Sequence, residues 1–87
     1  MLFMGIVTWK PEHKIEMVKR TQEKGPMRPE GIKFINEWVA VSGGKSFALF
    51  EANNSNDILS WVTVWSDIIE FEIFPVMELE EVMKAIE

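Results

Sequence analysis

Two runs rich in β-branched and aromatic residues, 32–41 and 46–52, stand on either side of Ser42-Gly43-Gly44-Lys45. Adjacent glycines accept the positive backbone angles of a tight turn, so this stretch predicts an antiparallel hairpin. A lone hairpin is marginal in water and needs further elements to cover it. The flanking sequence supplies them in mirror order. Residues 2–9 form an apolar run of strand length. Pro11 suits a helix first turn, Glu12 complements its positive end, and Lys19, Arg20 and Lys24 load its last turn. Gly25 is placed for a left-handed cap, and Pro26 blocks continuation. Ile15 and Val18, three apart, are expected to face a core. After the hairpin, Asn53-Asn54-Ser55-Asn56-Asp57 offers several N-caps. Ile58, Trp61, Val62 and Trp65 then recur at helical spacing. Residues 68–76 read as a fourth strand, and Leu79, Val82, Met83 and Ile86 as the stripe of a short C-terminal helix.

Strand, helix, hairpin, helix, strand is the split β-α-β order, so the expected class is α+β: a ferredoxin-like β-α-β-β-α-β sandwich. Right-handed crossovers place both main helices on one face of a four-stranded antiparallel sheet. No linker or internal repeat divides the chain, and residues 1–87 are expected to form a single domain. The other sheet face must be solvated or covered by a partner.

Centring the turn on Gly43 and Gly44 sets Trp38 opposite Leu49 and Asn36 opposite Glu51. Phe34, Asn36, Trp38, Phe47, Leu49 and Glu51 then share one face. Ile35, Glu37, Val39, Ala48 and Phe50 share the other. In the fourth strand the apolar set Ile69, Phe71 and Ile73 is expected to meet the helices together with Ile35, Val39 and Phe50. Glu37 is an exception in that company, acceptable near an edge. The open face would hold Phe34, Asn36, Trp38, Phe47, Leu49 and Glu51 with Glu70, Glu72 and Phe74. So much aromatic surface is rarely left wet, and pairing two such faces in a homodimer would bury it. In the first strand, Gly5 would leave room for a ligand.

Composition removes several function classes. The net charge of −5 and the lack of a basic stripe argue against nucleic acid as a partner. The chain has no cysteine, which excludes disulfides and thiolate chemistry and fits a reducing, cytoplasmic setting. The apolar N-terminus is too short to span a membrane, and no membrane partner is expected. His13, the single histidine, sits between Glu12 and Glu16 and reads as an exposed helix residue rather than a metal ligand or general base. Gly43-Gly44-Lys45-Ser46 lacks the preceding spaced glycine of a phosphate loop and leads into a strand, so nucleotide binding is rejected. No metal site is assigned, although the paired carboxylates of the open face could hold a hard cation, and the sequence leaves any cofactor unknown.

Several segments carry a family likeness: the initial Met-Leu-Phe-Met, Gly25-Pro26-Met27-x-Pro29-Glu30-Gly31, Phe34-Ile35-Asn36-Glu37-Trp38-Val39 and Phe47-Ala48-Leu49-Phe50-Glu51. The most specific is Trp61-x-x-x-Trp65-Ser66-Asp67-Ile68-Ile69-Glu70-Phe71-Glu72-Ile73-x-Pro75-Val76. Over nearly its whole length the chain resembles the domain-of-unknown-function 3303 family. That resemblance implies a ferredoxin-like fold of the dimeric α+β-barrel type, a wider group that includes small monooxygenases, isomerases and plain ligand-binding modules. The family has no established activity, so it assigns no catalytic residue.

Trp61 and Trp65, four apart on one helix, read first as core. Asp67 is placed to hydrogen-bond the turn that ends that helix. Glu51, Glu70 and Glu72 with Asn36 and Trp38 form the most chemical constellation, because neighbouring carboxylates in a half-buried setting favour acid–base work. The expected ligand site is therefore a pocket of Asn36, Trp38, Glu51 and Glu72 walled by Phe34 and Phe47. Arg28, in its proline-bracketed loop, could anchor an anion, although plain solvation is the simpler role. Two functions follow: small-molecule binding on the open sheet face, with acid–base or monooxygenase-type chemistry, or a non-catalytic dimerisation or regulatory module.

Overall fold

The computed structural model describes residues 1–86. Its elements are β1 (Leu2–Trp9), a 3-10 turn (Pro11–His13), α1 (Lys14–Lys24), β2 (Ile32–Val39), β3 (Lys45–Ala52), α2 (Ser55–Trp65), β4 (Ile69–Pro75) and α3 (Leu79–Ala85). The strands form one antiparallel sheet in the order β2-β3-β1-β4. This is the ferredoxin-like α+β arrangement. The helix ends use the expected signals. Gly25 takes φ 71° and donates its N–H to the Thr21 carbonyl, and the Asn54 side chain caps α2 by accepting from the Asn56 N–H at 2.8 Å.

Val7, Ile32, Ala48, Phe50, Ala52 and Ile69 from the sheet are buried with Trp61 and Trp65 of α2. Phe50 is fully buried and anchors a ring cluster: Phe3 stacks on it at 5.5 Å, and Trp61 meets it edge-on at the same centroid distance. Gly5 lies beneath these rings. A Cβ there would stand 3.2 Å from Phe50 Cε1 and 3.7 Å from Trp61, so the space expected to admit a ligand is filled by side chains. Phe71 and Ile73 pack against this core as the alternation in β4 requires.

Two expectations about faces are corrected. In α1, Ile15 is 81% exposed and Val18 is also exposed, while Met17 reaches the core. Two residues along a helix turn it by about 200°, so once Met17 points inward Ile15 must point away. In the hairpin, Trp38 pairs with Phe47, Asn36 with Leu49, and Lys33 with Glu51. The turn is displaced from Gly43-Gly44, because Ala40 donates to the Lys45 carbonyl and Gly43 donates to that of Ala40. The shift is of even parity, so Asn36, Trp38, Phe47, Leu49 and Glu51 still share a face. A bulge between Phe34 and Asn36 then reverses the alternation. Phe34 is thereby turned to the helix side, with its ring against Phe50 and Trp61, and Ile35 is left 47% exposed at the irregularity.

The helix layer does not cover the whole sheet. Val39, at the end of edge strand β2, is exposed. The stripe of α3, Leu79, Val82, Met83 and Ile86, is also exposed, and the molecule is long and thin at 49 × 29 × 17 Å.

Candidate functional site

Where the helices fail to cover the sheet, a cavity of ≈ 380 Å³ opens between the two layers. Three tryptophans border it from the helix side, Trp9 from the end of β1 and Trp61 and Trp65 from α2; Trp38 of β2 also borders it, from a position whose side chain the register assigns to the open face. Phe71 adds further aromatic wall, and α1 contributes only Met17 and Thr21. The space follows from these side-chain sizes. The inward residues of α1 are too slender to fill the gap over the β2 end of the sheet. Trp61 is held from behind by edge-on contact with Phe71 at 5.0 Å and Phe34 at 5.3 Å, so the aromatic wall is fixed.

Two charged residues stand on this wall, Arg28 and Glu37, and they form an ion pair. Arg28 comes from the loop between α1 and β2, which is tied down along its length. The Trp65 indole N–H donates to the Pro26 carbonyl at 3.3 Å, and the Ile32 N–H donates to that of Pro29 at 3.2 Å. Between them Met27 adopts φ 52°, a left-handed conformation that costs an L-residue about 1–2 kcal/mol, while its side chain packs on the core. Arg28 then lies with its guanidinium carbon 4.1 Å from the Phe34 ring centroid. The bulge that turned Phe34 inward thus supplies the aromatic surface on which Arg28 rests.

A second charge cluster braces the back of Trp65. Arg20 donates to both carboxylate oxygens of Asp67, at 2.9 and 2.7 Å, and to the Val64 carbonyl at 3.1 Å. Its guanidinium lies 5.4 Å from the Trp65 ring. Hydrogen bonding from Arg20 holds the Asp67 carboxyl down at about 2. Asp67 thus joins α1 to the end of α2, a role beyond the local turn bond expected of it.

Of the residues expected to form a site, Trp38 and Phe47 border the cavity, although their side chains belong to the open face of the sheet as expected. Phe34 lies on the helix side, beneath Arg28. Asn36, Glu51 and Glu72 stay on the open face, and the sheet register spreads them out. One row runs Trp38, Phe47, Ile6, Glu72 across four strands, so Glu72 stands about 14 Å from Trp38 at ordinary strand spacing. Glu51 pairs with Lys33, about 13 Å along β3 from Phe47. The Asn36 side chain accepts the N–H of Glu37 at 2.9 Å. These three side chains are exposed; Asn36 neighbours Trp38 along one face of β2, while Glu51 and Glu72 are not brought together with them. Glu37 carried the signal that pointed to the cavity instead: it is the one charge in an otherwise apolar inward set. Among the described residues, no group of three or more His, Cys, Asp or Glu is placed to hold a metal ion.

Residues 1–87 match the family described as domain of unknown function DUF3303. The chain belongs to this family. No curated protein matches its sequence. Its fold is similar to those of protein Atu4242 from Agrobacterium tumefaciens (TM-score 0.51, 11% identity, covering 91% of this chain and 96% of that one) and Rv0793 from Mycobacterium tuberculosis (TM-score 0.50, 8% identity, 91% and 99%). A Deinococcus radiodurans protein provisionally described as an antibiotic biosynthesis monooxygenase overlaps it less well, at TM-score 0.48 and 8% identity over 88% and 92% of the two chains. At such identities the likeness concerns fold alone. Among the described residues of this DUF3303 chain, no helix is long and apolar enough to cross a membrane.

Proposed function

We propose that this DUF3303 domain binds a small, largely apolar molecule in the cavity between sheet and helices, on the opposite side of the sheet from the pocket its sequence suggested. The carrying observation is that three tryptophans, Trp9, Trp61 and Trp65, border one unfilled space on the helix side of the sheet. The space is a cleft open to solvent on one side, and a small domain that leaves it unfilled beside its tryptophans forgoes burial that stability alone would favour. A concave, aromatic-lined space with a few fixed polar groups is the usual form of a ligand site. Acid–base chemistry, or a reaction of the monooxygenase type, would take place against this wall. Native mass spectrometry of protein purified from its own host tests the reading. The expected result is an added mass lost on denaturation and reduced by Trp9→Ala. Protein that carries nothing, and whose tryptophan emission is unmoved by aromatic compounds, would contradict it.

A second reading rests on the open face. Its central rows hold Trp38, Phe47 and Ile6, then Leu49, Met4 and Phe74. A second copy is the occupant that fits. A two-fold axis along the strands lays β2 and β3 of one copy over β4 and β1 of the other, stacking these rows. It also brings Lys45 of each copy into the row that holds Glu70 of the other. A homodimer in sedimentation at micromolar concentration, dissociated by Phe74→Glu, is the expected result. A monomer under those conditions would remove the reading.

A further inference from the structure

The geometry points to a ligand bearing one anionic oxygen group, a carboxylate above all, which takes Arg28 away from Glu37 as it enters the cavity. This rests on the proposal that the cavity binds a small molecule, and adds which chemical class it selects. Apart from Arg28 and Glu37, the wall is apolar or neutral. Arg28 is positioned before any ligand arrives. Its loop is hydrogen-bonded at Pro26 and Pro29, and its guanidinium lies over a Phe34 ring that is itself locked against Phe50 and Trp61. A planar guanidinium presents five N–H donors in a fixed fork matched to a carboxylate. Glu37 engages it through Nη2 alone. Among the described residues no other acceptor takes the remaining donors, which face solvent and are open to a bidentate partner.

Glu37 is suited to yield. It lies on edge strand β2, and both members of the pair keep solvent access, with side chains 37% and 42% exposed. Ion pairs of that kind contribute little to stability, so breaking one costs little. Glu37 returns to water while the incoming anion gains a charge-assisted fork and its apolar body gains the tryptophan wall. Until then Glu37 neutralises Arg28 and disfavours an anion that has no apolar body to contribute. The pair therefore acts as a specificity filter, and its two members have opposite effects on the same ligand.

That opposition makes the proposal testable with two flat probes of equal shape, 1-naphthoate and its neutral counterpart 1-naphthamide, titrated calorimetrically into the folded full chain. Wild type is expected to bind naphthoate at least tenfold more tightly than naphthamide. Arg28→Gln should abolish that preference and leave naphthamide affinity within twofold. Glu37→Gln should raise naphthoate affinity several-fold and leave naphthamide unchanged. Equal binding of the two probes by wild type, or parallel changes for both probes in both variants, would overturn the role of Arg28 while sustaining the cavity as a binding site. Failure of both probes to bind wild type would overturn the inference together with the reading beneath it.

Discussion

At the scale of single residues, close approach decides what is tolerated. Gly31 shows this in the loop that leads into β2. A Cβ at that position would stand 1.9 Å from Asp57 Oδ2 and 2.6 Å from its Cγ, so the carboxylate occupies the space a side chain would need. Gly31→Ala should therefore destabilise the fold by about 1–3 kcal/mol, as overpacking does. Asp57 lies in the first turn of α2, where its negative charge favours the helix end, so Asp57→Ala alone should cost about 0.3–1 kcal/mol. The double variant should lose less than the sum, because the clash disappears with the carboxylate. Urea titrations of the four proteins check this, and strict additivity would contradict the contact. Trp61 represents the opposite case, a ring clasped by Phe34, Phe50 and Phe71. Its helical spacing from Trp65 marked both as core, and both are buried. That they also border an open cavity depends on how far α1 stands from the sheet, which no local pattern encodes.

At the scale of elements, the two main helices are joined by charge as well as by packing. Arg20 of α1 reaches Asp67 just beyond α2. The folded carboxyl titrates at about 2 against an ordinary value of 3.8, so folding favours the ionised form. The linkage sign follows. The stabilisation is fully present above the ordinary value and is lost as pH falls from near 4 towards 2. Because Asp67 is largely exposed, solvent and salt screen the effect and keep it modest. The melting temperature of the native chain should exceed that of Asp67→Asn above pH 4, and the gap should close towards pH 2. A gap independent of pH would mean that the ion pair does not contribute. This tie spans 47 residues of chain, so sequence spacing held no sign of it. The hairpin was more legible. Its two runs and its glycines marked both strands, and an even shift in register left most faces as expected. The bulge at Ile35 was not legible, because an extra residue changes parity without changing composition. It moved Phe34 from the open face to the platform beneath Arg28.

At the scale of the whole molecule, the chain has more apolar surface than its own fold covers. The exposed stripe of α3 adds to the open sheet face, and a seven-residue helix has little stability without packing. Removing residues 79–87 should leave the far-ultraviolet signature of the sheet intact while lowering the melting temperature by no more than a few degrees; loss of the sheet signature would show that α3 holds the fold together. What the sequence alone determined was the order of elements, the ferredoxin-like class, the caps and the tryptophan spacing in α2. All of these rest on local periodicity and turn chemistry, which act over a few residues. Only the tertiary structure decided which sheet face bears the cavity and that Trp9, Trp61 and Trp65 border it together. It alone also set Arg28 against Glu37. A bulge, a helix turned to present Met17, and the reach of side chains across layers govern those outcomes, and each depends on contacts between segments far apart in the chain.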